Sequence, residues 1–197
     1  MLPNLIETEI AALAERYGPP RRVVATLAGG LFDPLVMTDR YGEVCMVVRR
    51  PDGTLITAIK TFYPPGAFRL LTGGVHHGEP IADALMRELA EETGLDVAVR
   101  RFLAVIEYEQ PELPAPAFAT FAFLVDELGG TLAAQDQAER IGAFRDLPVA
   151  ELPALAEALA AAPDEHSDEI GGSWRDWGNF RAVVHRVVYD LLRSPHP

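Results

Sequence analysis

The sequence predicts a mixed α/β (α+β) domain, and three observations carry that reading. Alternating apolar stretches rich in Val, Leu, Ile and Phe recur between turn residues. One central amphipathic helix separates two groups of such strands. Two further helical patterns close the chain. The order is strands, helix, strands, helices, not the regular alternation of a parallel sheet. At 197 residues, one domain with additions is expected, with enough chain to bury a core.

Residues 4–17 place Leu5, Ile6, Ile10, Leu13 and Tyr17 on one side of a helix, and Gly18-Pro19-Pro20 stops it. "RRVVATLA" (21–28) reads as a strand, broken by "GGLFDP". "EVCMVVRR" and "LITAIKTFY" read as a hairpin about Pro51-Asp52-Gly53-Thr54. "PPGA" (64–67) is a loop and "RLLT" a short extended piece. The central helix then starts near Pro80, where a missing N–H costs nothing, with Glu79 at the positive end of the dipole and Gly94 as C-cap. Strands are expected near 97–109 and 117–126, separated by "PELPAP", with a break at Gly129-Gly130. A strand near 141–144, a helix near 149–161, the acidic loop "PDEHSDEIGG" and a helix over 174–193 follow.

Composition narrows the function. Apolar residues make up 49% and charged residues 23%, and the net charge is −12, from 29 acids against 17 Lys plus Arg. Such a field repels a phosphate backbone, so nucleic-acid binding by a broad basic surface is not expected. A small phosphorylated ligand would need a cation to join it to an acidic protein. Cys45 is the only cysteine, so no intrachain disulfide can form, and its strand position suggests a buried, inert thiol. The N-terminus lacks a signal-peptide pattern and no apolar run is long enough to span a membrane. A soluble, cytoplasmic protein is the expectation.

The residues that invite chemistry lie in "GGVHHGEPIADALMRELAEETGL" (73–95). On a wheel at about 100° per residue, Ile81, Ala82, Leu85, Met86 and Leu89 form an apolar stripe. Glu92 falls within that arc, Glu88 flanks it about 60° from Leu85, and Glu91 lies further round. Carboxylates at i, i+3 and i, i+4 repel by a few tenths of a kcal/mol when exposed. Partly desolvated, at about 6 Å and an effective dielectric near 20, they repel by roughly 3 kcal/mol. A divalent cation would remove the conflict, since Mg²⁺ takes oxygen ligands. Arg87 can hold Glu91 as an i, i+4 pair. Spacing alone leaves a solvated acidic face equally open.

The whole stretch decides between them. Gly73, Glu79, Arg87-Glu88-Leu89, Glu91-Glu92 and Gly94, at these spacings, resemble the Nudix box without a departure. The resemblance implies an α/β/α sandwich with a mixed central sheet, an N-terminal helix and strand extension over 1–40 packed on it, a Nudix domain over 41–162, and an acidic loop and C-terminal helix over 163–197 in the same domain. It implies metal-dependent hydrolysis of a nucleoside diphosphate linked to another moiety, with Mg²⁺ or Mn²⁺ as cofactor. Residue by residue, Glu88, Glu91 and Glu92 match the metal-binding glutamates, Glu88 also matching a general base. Arg87 matches the arginine that orients a box glutamate, and Gly73 the loop bringing a backbone oxygen near the metal. Glu79 matches the glutamate that stabilises the architecture.

A base outside the box is a second option, with Glu139 and Asp136 ahead of Glu107, Glu109 and Glu112. Lys60 and Arg69 are candidates for substrate phosphate, and His76 and His77 are expected to face solvent. Pro111, 16 positions after Leu95, the N-terminal extension and the layout of "AIKTFYPPGAFRLLTGG" are similar to ADP-ribose pyrophosphatases. Leu70-Leu71-Thr72 departs from that subgroup's usual Glu and Pro. On the three similarities, and against that departure, ADP-ribose or a nucleotide sugar is the substrate class favoured. The alternative is a non-catalytic Nudix-fold module that senses a nucleotide. Trp174, Trp177, Phe180, Val184, Val187 and Leu191 form an apolar stripe for core packing or a homodimer.

Overall fold

The computed structural model describes residues 2–193. Helix α1 (Asn4–Tyr17) leads into strand β1 (Arg21–Thr26). Strands β2 (Arg40–Arg49), β3 (Leu55–Lys60) and β4 (Arg69–His76) precede helix α2 (Ile81–Thr93). Strands β5 (Leu95–Glu109), β6 (Phe118–Gly130) and β7 (Ile141–Leu147) follow, then α3 (Leu152–Ala160), a small hairpin of β8 (His166–Ser167) and β9 (Gly172–Ser173), and α4 (Trp174–Arg193). Seven strands form one sheet in the order β1-β5-β6-β2-β4-β3-β7. The β1–β5 and β2–β6 pairs are parallel and the others antiparallel, so the sheet is mixed.

Strand alternation divides the core into two layers. Val44, Met46, Val48, Leu71, Phe121 and Phe123 point to the face covered by α1 and α2. Cys45, Val47, Leu70, Ala122 and Leu124 point to the face covered by α3 and α4. This is the expected α/β/α sandwich. The N-terminal segment belongs to it physically: β1 extends the sheet beside β5, and Ile10 and Leu13 of α1 enter the α2-side core. Gly178 lets α4 approach the backbone of α3 at Leu159, a contact that any Cβ would obstruct.

Several boundaries differ from expectation. β4 does not stop at Thr72 but continues through Gly73 and Gly74 to His76, because the β2 ladder pairs Val44 with Gly73 and Glu43 with Gly74. Gly73 therefore sits in a strand, not in a loop. Gly129-Gly130 do not break the chain; they close β6 against Leu95 and Asp96. The acidic loop contains the β8–β9 hairpin. The 51–54 turn is as expected, with the Asp52 carboxylate accepting from the Thr54 N–H at 2.9 Å and Gly53 at a φ of 88°. Among the described residues, no helix is long and apolar enough to cross a membrane.

Candidate active site

The site begins with what α2 buries. Its inward face holds Ile81, Ala84, Leu85 and Leu89, and with them Glu88 and Glu92, which are 5% and 1% exposed. Met86, expected in the stripe, is 48% exposed, and Ala82 is only partly buried. The wheel centre is thus rotated toward Ala84 and Glu88. Both carboxylates lie between helix and sheet rather than in solvent.

Gly73 explains how Glu88 fits there. A Cβ on Gly73 would occupy the space taken by the Glu88 side chain. The adjacent Gly74 makes room on the opposite face: its Cβ would stand 3.0 Å from a terminal nitrogen of Arg40. The two glycines admit an acid on one side of β4 and a guanidinium on the other.

Arg87 organises the acids around this helix. Its Nε and one terminal nitrogen donate to Glu79 at 2.8 and 3.0 Å. The other terminal nitrogen donates to Glu88 at 2.8 Å and Glu91 at 3.0 Å, and the Gly74 carbonyl accepts at 2.9 Å. Glu79 also accepts from the His76 N–H at 3.1 Å, so it ties the turn after β4 to the helix. The Arg87 guanidinium holds the Glu79 carboxyl below its ordinary range. His76 and His77 themselves are exposed, the latter ring 5.9 Å from that of Tyr41.

The far end of α2 positions a third acid. Gly94 caps the helix in the left-handed conformation, at a φ of 63°, with its N–H on the Ala90 carbonyl. The remaining end carbonyls are met by the loop before β7. Ala133 N–H donates to Thr93 at 3.0 Å, and Gln135 and Asp136 N–H groups donate to Glu91 at 2.8 and 3.2 Å. This loop then makes a 3₁₀ turn over Gln137–Glu139, capped by the Asp136 carboxylate accepting from the Ala138 N–H at 2.8 Å. The turn delivers Glu139 to the site, where Lys60 donates to it at 3.0 Å.

Ligand atoms of Glu88, Glu92 and Glu139 all lie within 4.8 Å of one another. The sequence grouped Glu91 with Glu88 and Glu92. In the structure Glu91 is held by Arg87 and stands outside this close group, and Glu139 takes the third place. Asp136 is occupied as a cap. Glu107 lies on β5, 3.6 Å from Arg22, and neither it, Glu109 nor Glu112 joins the cluster. Among the described residues, no hydrogen-bond donor reaches either oxygen of Glu92. Burial raises its pKa to about 8, against the pull of Arg69 and of Lys60, whose Nζ is 4.0 Å away. Burial likewise raises the Glu88 carboxyl, with Arg87 opposing. A buried carboxylate without a hydrogen-bond partner, beside two more, suits a hard divalent cation, which takes oxygen ligands and offsets their repulsion.

Other residues were not visible in sequence. Arg181 on α4 donates to both Glu43 oxygens at 2.8 and 2.6 Å and to Thr72 Oγ1 at 3.1 Å, and Thr120 donates to Glu43 at 2.9 Å. Arg69 lies beneath the surface: it is 3% exposed, donating to the Tyr63 hydroxyl at 3.1 Å and the Leu70 carbonyl at 2.8 Å. The only available signal was polar Arg181 and His185, four apart, inside the apolar stripe of α4. Trp174, Trp177, Phe180 and Val184 of that stripe are buried in this chain's own core. Cys45 is wholly buried, and burial pushes its thiol up.

A model of the NUDIX domain matches residues 39–169. The chain is 39% identical over 92 residues to the ADP-ribose pyrophosphatase of Methanocaldococcus jannaschii, covering 46% of this chain and 52% of that protein. It is 41% identical over 70 residues to the human NAD-capped RNA hydrolase NUDT12, covering 34% of this chain and 15% of that protein. The chain thus spans about half the length of the first relative and far less of the second. A solved ADP-ribose pyrophosphatase from Streptococcus suis aligns with a TM-score of 0.48 at 16% identity, over 79% of this chain and 94% of that one. With a family model over residues 39–169 and every box position accounted for, the chain belongs to the Nudix domain family.

Proposed function

We propose that the protein hydrolyses the diphosphate linkage of a nucleoside diphosphate joined to another moiety, with ADP-ribose or a nucleotide sugar as the substrate class, in dependence on Mg²⁺ or Mn²⁺. The supporting observation is Glu92, buried without a hydrogen-bond partner inside a cluster of three carboxylates. In this reading Glu88, Glu92 and Glu139 hold the cation, and Arg87 fixes Glu88 and Glu91. Glu79 secures the turn that the helix follows, and Gly73 leaves the room Glu88 needs. A bound Mg²⁺ or Mn²⁺ supplies positive charge to phosphoryl oxygens and lowers the pKa of water.

The residues divide the remaining work. Lys60, beside Glu139, meets the substrate diphosphate as a point charge. Glu139 is the proton acceptor for the attacking water: its side chain is 21% exposed, against 7% for Glu88 and 1% for Glu92, so it alone of the three meets solvent readily.

A panel of nucleoside diphosphate derivatives, assayed by chromatographic detection of the mononucleotide product with Mg²⁺ and with Mn²⁺, tests the reading. Cleavage abolished by EDTA, and reduced by orders of magnitude in Glu88→Gln and Glu92→Gln, is expected. Wild-type rates in both variants would refute it, and nucleotide binding with no turnover across the panel would favour a sensing module.

A further inference from the structure

A cavity of about 100 Å³ opens behind the Gly73-Gly74 pair, between the sheet and α4. It is contiguous with the carboxylate cleft, since Arg40, Lys60, Thr72, Gly73 and Gly74 line both. Pockets that enclose drug-sized ligands are typically about 300–1,000 Å³, so this one accommodates an end group and not a whole nucleoside. Its charged lining is four cations, Arg40, Lys60, Arg69 and Arg181, against two carboxylates, Asp33 and Glu43. In a protein of net charge −12, that local excess is opposite in sign to the molecule.

The four cations are not equivalent. Arg40 is paired with Asp39, Lys60 with Glu139, and Arg181 with Glu43. Arg69 has no carboxylate within ion-pair distance among the described residues; its partners are the Tyr63 hydroxyl and the Leu70 carbonyl. Glu92 and Glu43 act on it only at longer range. A guanidinium that is 3% exposed and lacks a counter-ion is costly unless something else supplies one. Its planar fork matches a phosphate or carboxylate.

We propose that this cavity seats the moiety beyond the diphosphate, and that Arg69 selects an end group bearing its own compact oxyanion, a sugar phosphate or sugar carboxylate. This rests on the hydrolytic reading above and specifies its substrate. The diphosphate lies at the carboxylate cleft, and the charged end of the substrate passes Gly73-Gly74 to reach Arg69. Thr72 and the Arg181–Glu43 pair form the polar wall beside it.

Binding to the full chain with Ca²⁺ in place of Mg²⁺, measured by calorimetry while any mononucleotide product is followed by chromatography, tests this apart from turnover. Two matched pairs serve: UDP-glucose with UDP-glucuronate, and ADP-ribose with its 1″-phosphate. The anionic member of at least one pair is expected to bind at least tenfold more tightly, and which pair responds separates carboxylate from phosphate. Arg69→Met is expected to reduce that ratio to about one, and Arg69→Lys to restore part of it. Equal affinities within both pairs, no binding of any of the four, or a preference that survives in folded Arg69→Met would overturn the proposal. If Arg69→Met does not fold, equal wild-type affinities still overturn the proposal, and a ratio unchanged in Arg69→Lys counts against Arg69. Hydrolysis of UDP-glucose or ADP-ribose, whose end groups are uncharged, alongside equal affinities would refute this inference and leave the hydrolase reading standing.

Discussion

Glu92 concentrates the conflict between stability and chemistry in one side chain. Ionising it in a buried site without a hydrogen-bond donor is unfavourable, and burial raises its pKa to about 8 from 4.5 despite Arg69 and Lys60. A folded state that holds its proton more tightly than the unfolded chain is favoured by that difference below about pH 4.5. The advantage is lost as pH rises through about 8. The metal-free protein should therefore lose stability over that window. Glu92→Gln should flatten the loss and raise Tm at pH 9 in EDTA, while hydrolysis with Mg²⁺ falls by orders of magnitude. Parallel thermal melts and rate assays check both halves. Unchanged Tm at pH 9 would mean that Glu92 is better solvated than its burial indicates.

Among the elements, β4 and the two helices that flank it carry the decisive geometry. Gly73→Ala puts a methyl group where the Glu88 side chain lies. The flexible carboxylate moves before the backbone does, so activity should fall about 100-fold, a loss of about 2.7 kcal/mol in transition-state stabilisation. Far-UV circular dichroism should stay unchanged. On the opposite face, β4 is joined to α4 through His185. The Leu70 N–H donates to His185 Nε2 at 3.0 Å, so the ring proton resides on Nδ1, 2.7 Å from the Arg181 carbonyl. Burial lowers the His185 pKa to about 4 from 6.5. The neutral ring's contribution is complete above about pH 6.5 and is lost as pH falls through about 4. That contribution is about 3 kcal/mol on the scale of 1.36 kcal/mol per pKa unit. Denaturant titrations at pH 7 and pH 4 should show it in the wild type, and His185→Asn should have a shallower acid limb.

Across the whole molecule, the parts legible in sequence were those whose signal is contiguous. The box occupies 23 consecutive residues, so helix α2, its caps and the Arg87–Glu91 pair could be read directly. The mixed α/β class followed from the order of elements, and the mixed central sheet from the resemblance of the box. What escaped detection depends on distant chain segments meeting. Glu139 is named in sequence as a candidate base, but its place in the cluster with Glu88 and Glu92 arises only because a loop after β6 docks on the end of α2. Glu43 meets Arg181 across 138 positions, and nothing in the sequence around Glu43 marks it as the partner. The placement of Met86 failed because the sheet, not the helix's own periodicity, chose the buried centre. The molecule's charge has its own consequence. A net charge of −12 repels a diphosphate at long range, whereas the local cations act at contact. At saturating Mg²⁺, raising ionic strength from about 0.02 to 0.15 M should hold kcat/KM steady or raise it a few-fold, because screening removes the repulsion first. A tenfold fall would show that the local cations steer the encounter instead.

The docking of residues 133–136 on the last turn of α2 uses main-chain donors, so it makes little demand on side-chain identity. Saturation mutagenesis should therefore find a permissive segment interrupted by a proline-specific pattern. Proline at 133, 135 or 136 removes an N–H that holds the segment to Thr93 or Glu91. Each such variant should lose hydrolysis by releasing Glu139, whereas serine at 133 and alanine or serine at 135 should be tolerated. An acid delivered in this way stays in place while the loop that carries it is free to diverge in sequence.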